Sequence, residues 1–301
     1  MKFIGIDLGG TNVKGIVVNQ TGAVIKQHYI STADNGDMTW RVNVLEMVLY
    51  LKNWLQEPIS AVGMSAPGLP DAHNSCIAYL PNRLNGLENF AWGDYLGEKT
   101  FVLNDAHAAV MAEATFGAAK GYQNVVLLTL GTGVGGGLFL NGQLYQGLNQ
   151  MAGHLGHLTV NAHDDEASIV GMVGSLEYAI GNYSVQRRSK NKFNTTWELV
   201  EAYRQNDPWA TLVWLSSVQK LAVALSSIVN IFSPELIVLS GGIALADDAL
   251  FEPLTQYMAL YEWRPGGKTT PIVQAHFGDM AGAIGAASFA MSKSEKVKVI
   301  M

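Results

Sequence analysis

The chain has 301 residues, 49% hydrophobic and 15% charged, with 19 basic against 25 acidic side chains and a formal charge of −6. That length allows a sizeable core in one large or two ordinary domains, and the absence of a basic run leaves nucleic acid no electrostatic footprint. The single cysteine, Cys76, excludes an internal disulfide or a multi-cysteine metal cage, and no stretch approaches 18 consecutive apolar residues, so no membrane span is expected.

From the N-terminus, residues 3–8 read as an apolar strand running into Gly9-Gly10-Thr11, and Gly15-Ile16-Val17-Val18-Asn19 as a second strand. Asp7 interrupts the opening apolar run, so no secretory leader is expected and the chain reads as cytoplasmic. Over 40–55, apolar side chains at Val44, Met47, Val48, Leu51 and Leu55 have the spacing of one helix face. Residues 59–65 read as a strand ended by Pro67-Gly68. Phe101-Val102-Leu103 is a short strand entering Asn104-Asp105, and an alanine-rich helix follows over 106–116. Residues 125–130 then form an apolar strand entering Gly131-Thr132-Gly133, and Gly137-Leu138-Phe139-Leu140 follows as its partner. Strand, glycine loop and strand thus occur twice. A long helix is expected over 209–231, stopped near Pro234, and a buried strand over 235–239 enters Ser240-Gly241-Gly242. A strand over 271–277, a small-residue helix from 281 to about 292 and a charged, fraying tail over 293–301 complete the chain.

Alternating strands and helices predict an α/β architecture. The repeat predicts two similar domains, residues 1–117 joined by the last helix at about 281–301, and residues 118–280. Chance likeness between glycine-rich strands is the plain alternative.

Asp7-Leu8-Gly9-Gly10-Thr11 places a carboxylate at a strand end, then two permissive residues and a hydroxyl. Backbone N–H groups and Thr11 can donate to phosphoryl oxygens, while Asp7 can hold Mg²⁺ directly or through water. An ordinary hairpin turn is the alternative, and the second loop at Gly131, Thr132 and Gly133 weighs against it. Gly131 to Gly136 also satisfies G-x-G-x-x-G, but a strand rather than a helix follows, so the dinucleotide reading fails. Gly266-Gly267-Lys268-Thr269 imitates the end of a P-loop, yet Glu262 stands where its first glycine is required. Asn104-Asp105, after a strand and before a helix, can be a sugar-contacting amide and a general base, or a helix cap. His154 and His157, with His163, Asp164, Asp165 and Glu166 nearby, invite a zinc reading that the spacing does not support.

In order and spacing these motifs resemble the ROK family of sugar kinases, over nearly the whole chain. The resemblance implies the two-domain actin-like or hexokinase-like ATPase fold, with duplicated ribonuclease H-like domains and the active site in the cleft between them. It implies phosphate binding by Asp7, Gly9, Gly10, Thr11, Gly131, Thr132 and Gly133, and a nucleoside site at Gly241 and Gly242. It implies sugar binding by Asn82, Asn104, Asp105, His154, His157 and Glu177, with Asp105 as the base that takes the proton of a sugar hydroxyl, by analogy the 6-hydroxyl. ATP and Mg²⁺ are the implied cofactors, a small sugar the implied partner, and a homodimer is compatible with the family's habits.

Two departures stand out. The family's Gly-Glu-x-Gly-His is Gly153-His154-Leu155-Gly156-His157 here, a form that N-acetylmannosamine kinases of the family can show, so glucose and an N-acyl hexosamine are both candidates. The family's zinc cysteines are replaced by Ser168, Val170 and Ser175, so no structural zinc is expected. The family also includes repressors, which carry an added DNA-binding segment for which the hairpin at residue 3 leaves no room. A sugar-independent ATPase or a non-catalytic sugar-binding member of the same fold is the remaining alternative.

Overall fold

A computed structural model describes residues 1–81 and 83–298. In chain order its strands are β1 (Lys2–Leu8), β2 (Asn12–Asn19), β3 (Val24–Ser31), β4 (Ala61–Ala66), β5 (Leu69–Pro70), β6 (Ile77–Tyr79), β7 (Thr100–Asn104), β8 (Val125–Leu130), β9 (Val134–Leu140), β10 (Gln143–Tyr145), β11 (Leu236–Ser240) and β12 (Ile272–Gln274). The α-helices are α1 (Thr39–Leu55), α2 (Trp92–Leu96), α3 (Asp105–Phe116), α4 (Leu176–Ile180), α5 (Val185–Arg188), α6 (Thr196–Arg204), α7 (Pro208–Phe232), α8 (Asp248–Tyr261) and α9 (Ala281–Lys298).

Two five-stranded sheets follow one plan, β3-β2-β1-β4-β7 and β10-β9-β8-β11-β12. Each opens with an antiparallel hairpin, paired from Lys2↔Asn19 to Leu8↔Val13 in the first and from Val125↔Phe139 to Leu130↔Val134 in the second. Parallel strands then extend each sheet from the hairpin's first strand. The predicted repeat is therefore structural. The parallel strands β4 and β11 are buried along their whole length, as strands covered on both faces must be.

The apolar interior has separate layers. Against one face of the first sheet, α1 packs through Trp40, Val44, Met47, Val48 and Leu51. Against the outer face of the second, α7 and α8 contribute Trp214, Val218, Leu221, Leu225, Leu250 and Leu254. Between the sheets lies a third cluster that joins Phe3 and Ile16, Val125 and Val238, Ala109 and Val110 of α3, and Ala283, Ile284, Ala287 and Ala290 of α9. There α9 lies on the first sheet, α3 on the second, and the two helices pack on each other. Small residues make the approach possible: a Cβ on Gly63 would overlap the Ala286 carbonyl, and one on Gly285 the Ala108 carbonyl.

The helix expected over 209–231 is α7, started by Asp207, whose carboxylate caps Ala210 N–H, and by Pro208 in the first turn. By length and composition it could cross a membrane, but 56% of its most apolar window is buried here. Three expectations change. The strand over 271–277 shortens to β12, because the N–H groups of His276 and Phe277 turn away to the Glu113 carboxylate. Of the tail expected to fray over 293–301, residues 293–298 continue α9, with Ser292 and Ser294 bonded back to Phe289 and Ala290 carbonyls, and 299–301 lie outside the described residues. Helix α8 was not expected because Pro253 lies inside it. The Ala249 carbonyl that Pro253 leaves without a donor is taken by Trp214 Nε1 at 2.7 Å.

Candidate active site

The chemistry-bearing side chains gather at the carboxyl ends of the parallel strands, where open α/β sheets bind ligands. Register alone brings Asp7 level with Ser65, and Ala66 level with Asn104, along the first sheet. The second sheet ends level at Thr129 and Ser240.

Loop 1, residues 9–11, is held from behind by Thr32, fully buried, whose hydroxyl donates to Gly9 O at 2.6 Å and whose N–H donates to Thr11 O at 2.9 Å. Loop 2, residues 131–133, is tied down by N–H groups of Asn182 and Tyr183 that donate to Gly131 and Thr132 carbonyls. A Cβ on Gly131 or Gly242 would meet nothing within 4 Å, so both backbones face open space. Gly241 adopts φ +89°, and a side chain there would strike the Leu130 carbonyl where the ends of β8 and β11 meet.

Asn104, not Asp105, caps α3. Its Oδ1 accepts Ala106 N–H at 3.0 Å while its Nδ2 donates to Gly68 O at 3.0 Å. One carboxylate oxygen of Asp105 also accepts Ala106 N–H at 2.8 Å, and the side chain still reaches solvent. Enclosure by protein atoms pushes the Asp105 carboxyl up, against Ala106 N–H, His154, Arg83 and Asn104, which pull it down. Glycines at 135 and 137 let β9 lie directly on Ala106, so loop 2 adjoins the first turn of α3.

Asp7 is pushed up to about 6 by burial, and by the charges of Asp105 and Asp279, against the pull of the Ser65 hydroxyl and Lys14. Lys14 Nζ lies 3.9 Å from Asp7, 3.4 Å from the Asp279 carboxylate and 2.6 Å from the Asp279 carbonyl. This excess of negative charge fits a divalent cation held through water, as Mg²⁺ commonly is. The charge also has a cost. A carboxyl raised from 3.8 to about 6 binds its proton preferentially in the folded state, so the stability it confers is present below 3.8 and lost as pH rises through about 6. At pH 7 that loss is about 3 kcal/mol, and without the Asp7 charge Lys14 still keeps Asp279. Asp7→Asn is therefore expected to raise stability by about 1–3 kcal/mol at pH 7, with the gain vanishing toward pH 4, as urea titrations at both pH values would measure.

His154, which interacts electrostatically with Asp105, has the rings of His107 and His157 at centroid distances of 5.5 and 6.3 Å. Burial and the nearby His157 lower the His154 pKa, while Asp105 raises it. His107, fully buried and bonded to Ala152 O at 2.8 Å, is lowered to about 4 by burial. Glu177, on α4, accepts Val134 N–H at 3.4 Å through Oε1 and so touches loop 2. Glu177 Oε2, His154 Nε2, His157 Nδ1 and the Tyr183 hydroxyl are buried without a hydrogen-bond partner. Such groups are costly unless a ligand meets them.

The structure thus brings together Asp7, Asn104, Asp105, His154, His157, Glu177 and both glycine loops. Asn82 lies outside the described residues. Where the resemblance would place zinc cysteines, Ser168 accepts Val170 and Met172 N–H groups and Ser175 caps α4 through Tyr178 N–H. Among the described residues no cluster of three His, Cys, Asp or Glu is placed to hold a metal. Sequence reasoning missed Lys14, Thr32, Ser65, Arg83 and Asp279. Lys14 faces Asp7 directly across the hairpin and could have been found from its register. Asp279 is brought to Asp7 by α9 and carries no local signal.

Comparison with known proteins gives one consistent result. A model of the ROK family matches residues 3–293. A glucokinase of Thermotoga maritima is 31% identical, covering 96% of this chain and 96% of the relative. An N-acetylmannosamine kinase of Vibrio cholerae is 32% identical, covering 95% of this chain and 98% of the relative. The crystal structure of a ROK hexokinase from Thermus thermophilus superposes with a TM-score of 0.89 at 30% identity, covering 98% of this chain and all of that one. The fold is therefore the hexokinase-like two-domain α/β fold.

Proposed function

This chain belongs to the ROK family, and we propose that it transfers the γ-phosphoryl group of Mg-ATP to a hydroxyl of a hexose or N-acyl hexosamine. The observation that carries the reading is Asp105, a solvent-reachable carboxylate that interacts electrostatically with both Asp7 and His154, with its helix capped by its neighbour. Relieved of sole capping duty, it can accept a proton.

Mg-ATP, when bound, supplies the phosphoryl group and the cation that offsets its charge. Gly9, Gly10, Thr11, Gly131, Thr132 and Gly133 then hold phosphates through backbone and hydroxyl donors, and Gly241 and Gly242 admit the nucleoside. Asp7 organises the cation through water. Asn82, Asn104, His154, His157 and Glu177 orient the sugar. The 6-hydroxyl proton passes to Asp105 as its oxygen bonds to phosphorus and the β,γ-bridging bond breaks. The proposed division after α3, near residue 117, has α3 reaching over to the second sheet and α9 returning to the first, so closure can exclude water around this step.

An N-acyl hexosamine is favoured at one position. His154 presents a buried, unpartnered Nε2, which can donate to an acyl carbonyl where a carboxylate could only accept. The deciding assay is ADP release with Mg-ATP and glucose, mannose, fructose, allose, N-acetylglucosamine or N-acetylmannosamine. Sugar-dependent release with phosphosugar formed is expected; equal release with and without sugar would leave a sugar-independent ATPase.

A further inference from the structure

Arg83 has no part in the reading above, yet its guanidinium stands beside loop 1. It lines a cavity of about 410 Å³ with Asp34, Leu84, Asn85 and Glu88. Its guanidinium reaches over loop 1, for a Cβ built on Gly10 would lie 3.3 Å from Arg83 Nη2. Its charge also acts on Asp105, pulling that carboxyl down. The cation therefore lies against a phosphate loop and acts on the proposed general base.

The other nearby cation is already engaged. Lys14 is shared between Asp7 and Asp279. Arg83, in contrast, forms no ion pair with a carboxylate among the described residues. Asp34, which lines the same cavity, takes Leu84 N–H at 3.4 Å instead. A planar guanidinium with free donors matches the oxygens of a phosphoryl group in two parallel hydrogen bonds. A neutral sugar hydroxyl offers no such match.

We propose that Arg83 is a catalytic residue that donates to the phosphoryl group in flight from the side of loop 1. The inference rests on the sugar-kinase reading. As the hydroxyl oxygen bonds to phosphorus and the bridging bond breaks, negative charge is spread over the equatorial oxygens and the leaving ADP. The hydroxyl proton goes to Asp105. Arg83 keeps its protons throughout and contributes only donors and charge, as an arginine finger does.

Arg83 is exposed, so R83Q removes the charge without opening a core, and R83K keeps the charge without the fork. Two measurements are made on each variant and on wild type. One is sugar-dependent ADP release. The other is the thermal stabilisation that aluminium fluoride adds to Mg-ADP, which mimics the phosphoryl group without turnover. R83Q is expected to lower kcat on the order of 10²- to 10³-fold with the sugar KM within about threefold, and to lose the fluoride-dependent stabilisation. R83K should recover part of both. A kcat of R83Q within about threefold of wild type, or fluoride-dependent stabilisation that survives in R83Q, overturns the proposal. Wild type without sugar-dependent release, but with stabilisation that R83Q abolishes, would remove the kinase reading and leave the phosphoryl contact standing. Wild type showing neither response would remove both.

Discussion

Asp105→Asn should leave the protein folded and sugar-bound while turnover falls by about 10²- to 10⁴-fold, the usual worth of a positioned general base. The amide is nearly the same size and can still accept Ala106 N–H through its oxygen, so the first turn of α3 keeps its contact. Asn104 continues to cap the helix. What is lost is the proposed acceptor for the hydroxyl proton. Removal of a charge that burial already disfavours gives no reason for unfolding. Steady-state rates and direct sugar titration of the variant test this together. Turnover close to wild type would show that the proton goes elsewhere, with His154 the next side chain to examine.

Gly285→Ala is expected to destabilise the whole chain by about 2–4 kcal/mol, although alanine is the better helix former by about 1 kcal/mol. The added methyl would overlap the Ala108 carbonyl, which is backbone of α3 and cannot rotate aside. The helices must separate, and both lie inside the cluster that joins the two sheets. Because α3 carries Asp105 at its start, turnover should fall with stability. A urea midpoint equal to or above wild type would show that the helix pair can shift at no cost. As a control, alanine at Gly282 would press on the Asp7 side chain rather than on α3, and so should disturb the charge cluster more than the packing.

The local elements were largely legible. Each copy of strand, glycine loop and strand announces itself by β-branched runs broken by residues that can turn sharply, and register then follows from the short hairpins. Helix α1 is readable from its apolar spacing, and α7 from its long apolar run stopped near Pro234, while its Asp207-Pro208 start came from the structure. Helix α8 was hidden by Pro253, since only a tryptophan from another helix reveals how its open carbonyl is satisfied. Strand β12 was overestimated because Glu113, far back in the chain, draws its continuation off the sheet.

By itself the amino-acid order determined the duplicated glycine hairpins and the strand-to-helix step at Asn104-Asp105, because turns, caps and apolar periods depend on near neighbours. Only the tertiary structure decided that Asp7, Lys14 and Asp279 share one charge cluster and that Arg83 reaches over Gly10. The arrival of Asp279 depends on α9 crossing back between the sheets. Packing of small residues from distant segments sets that path, and such packing leaves no periodic mark along the chain.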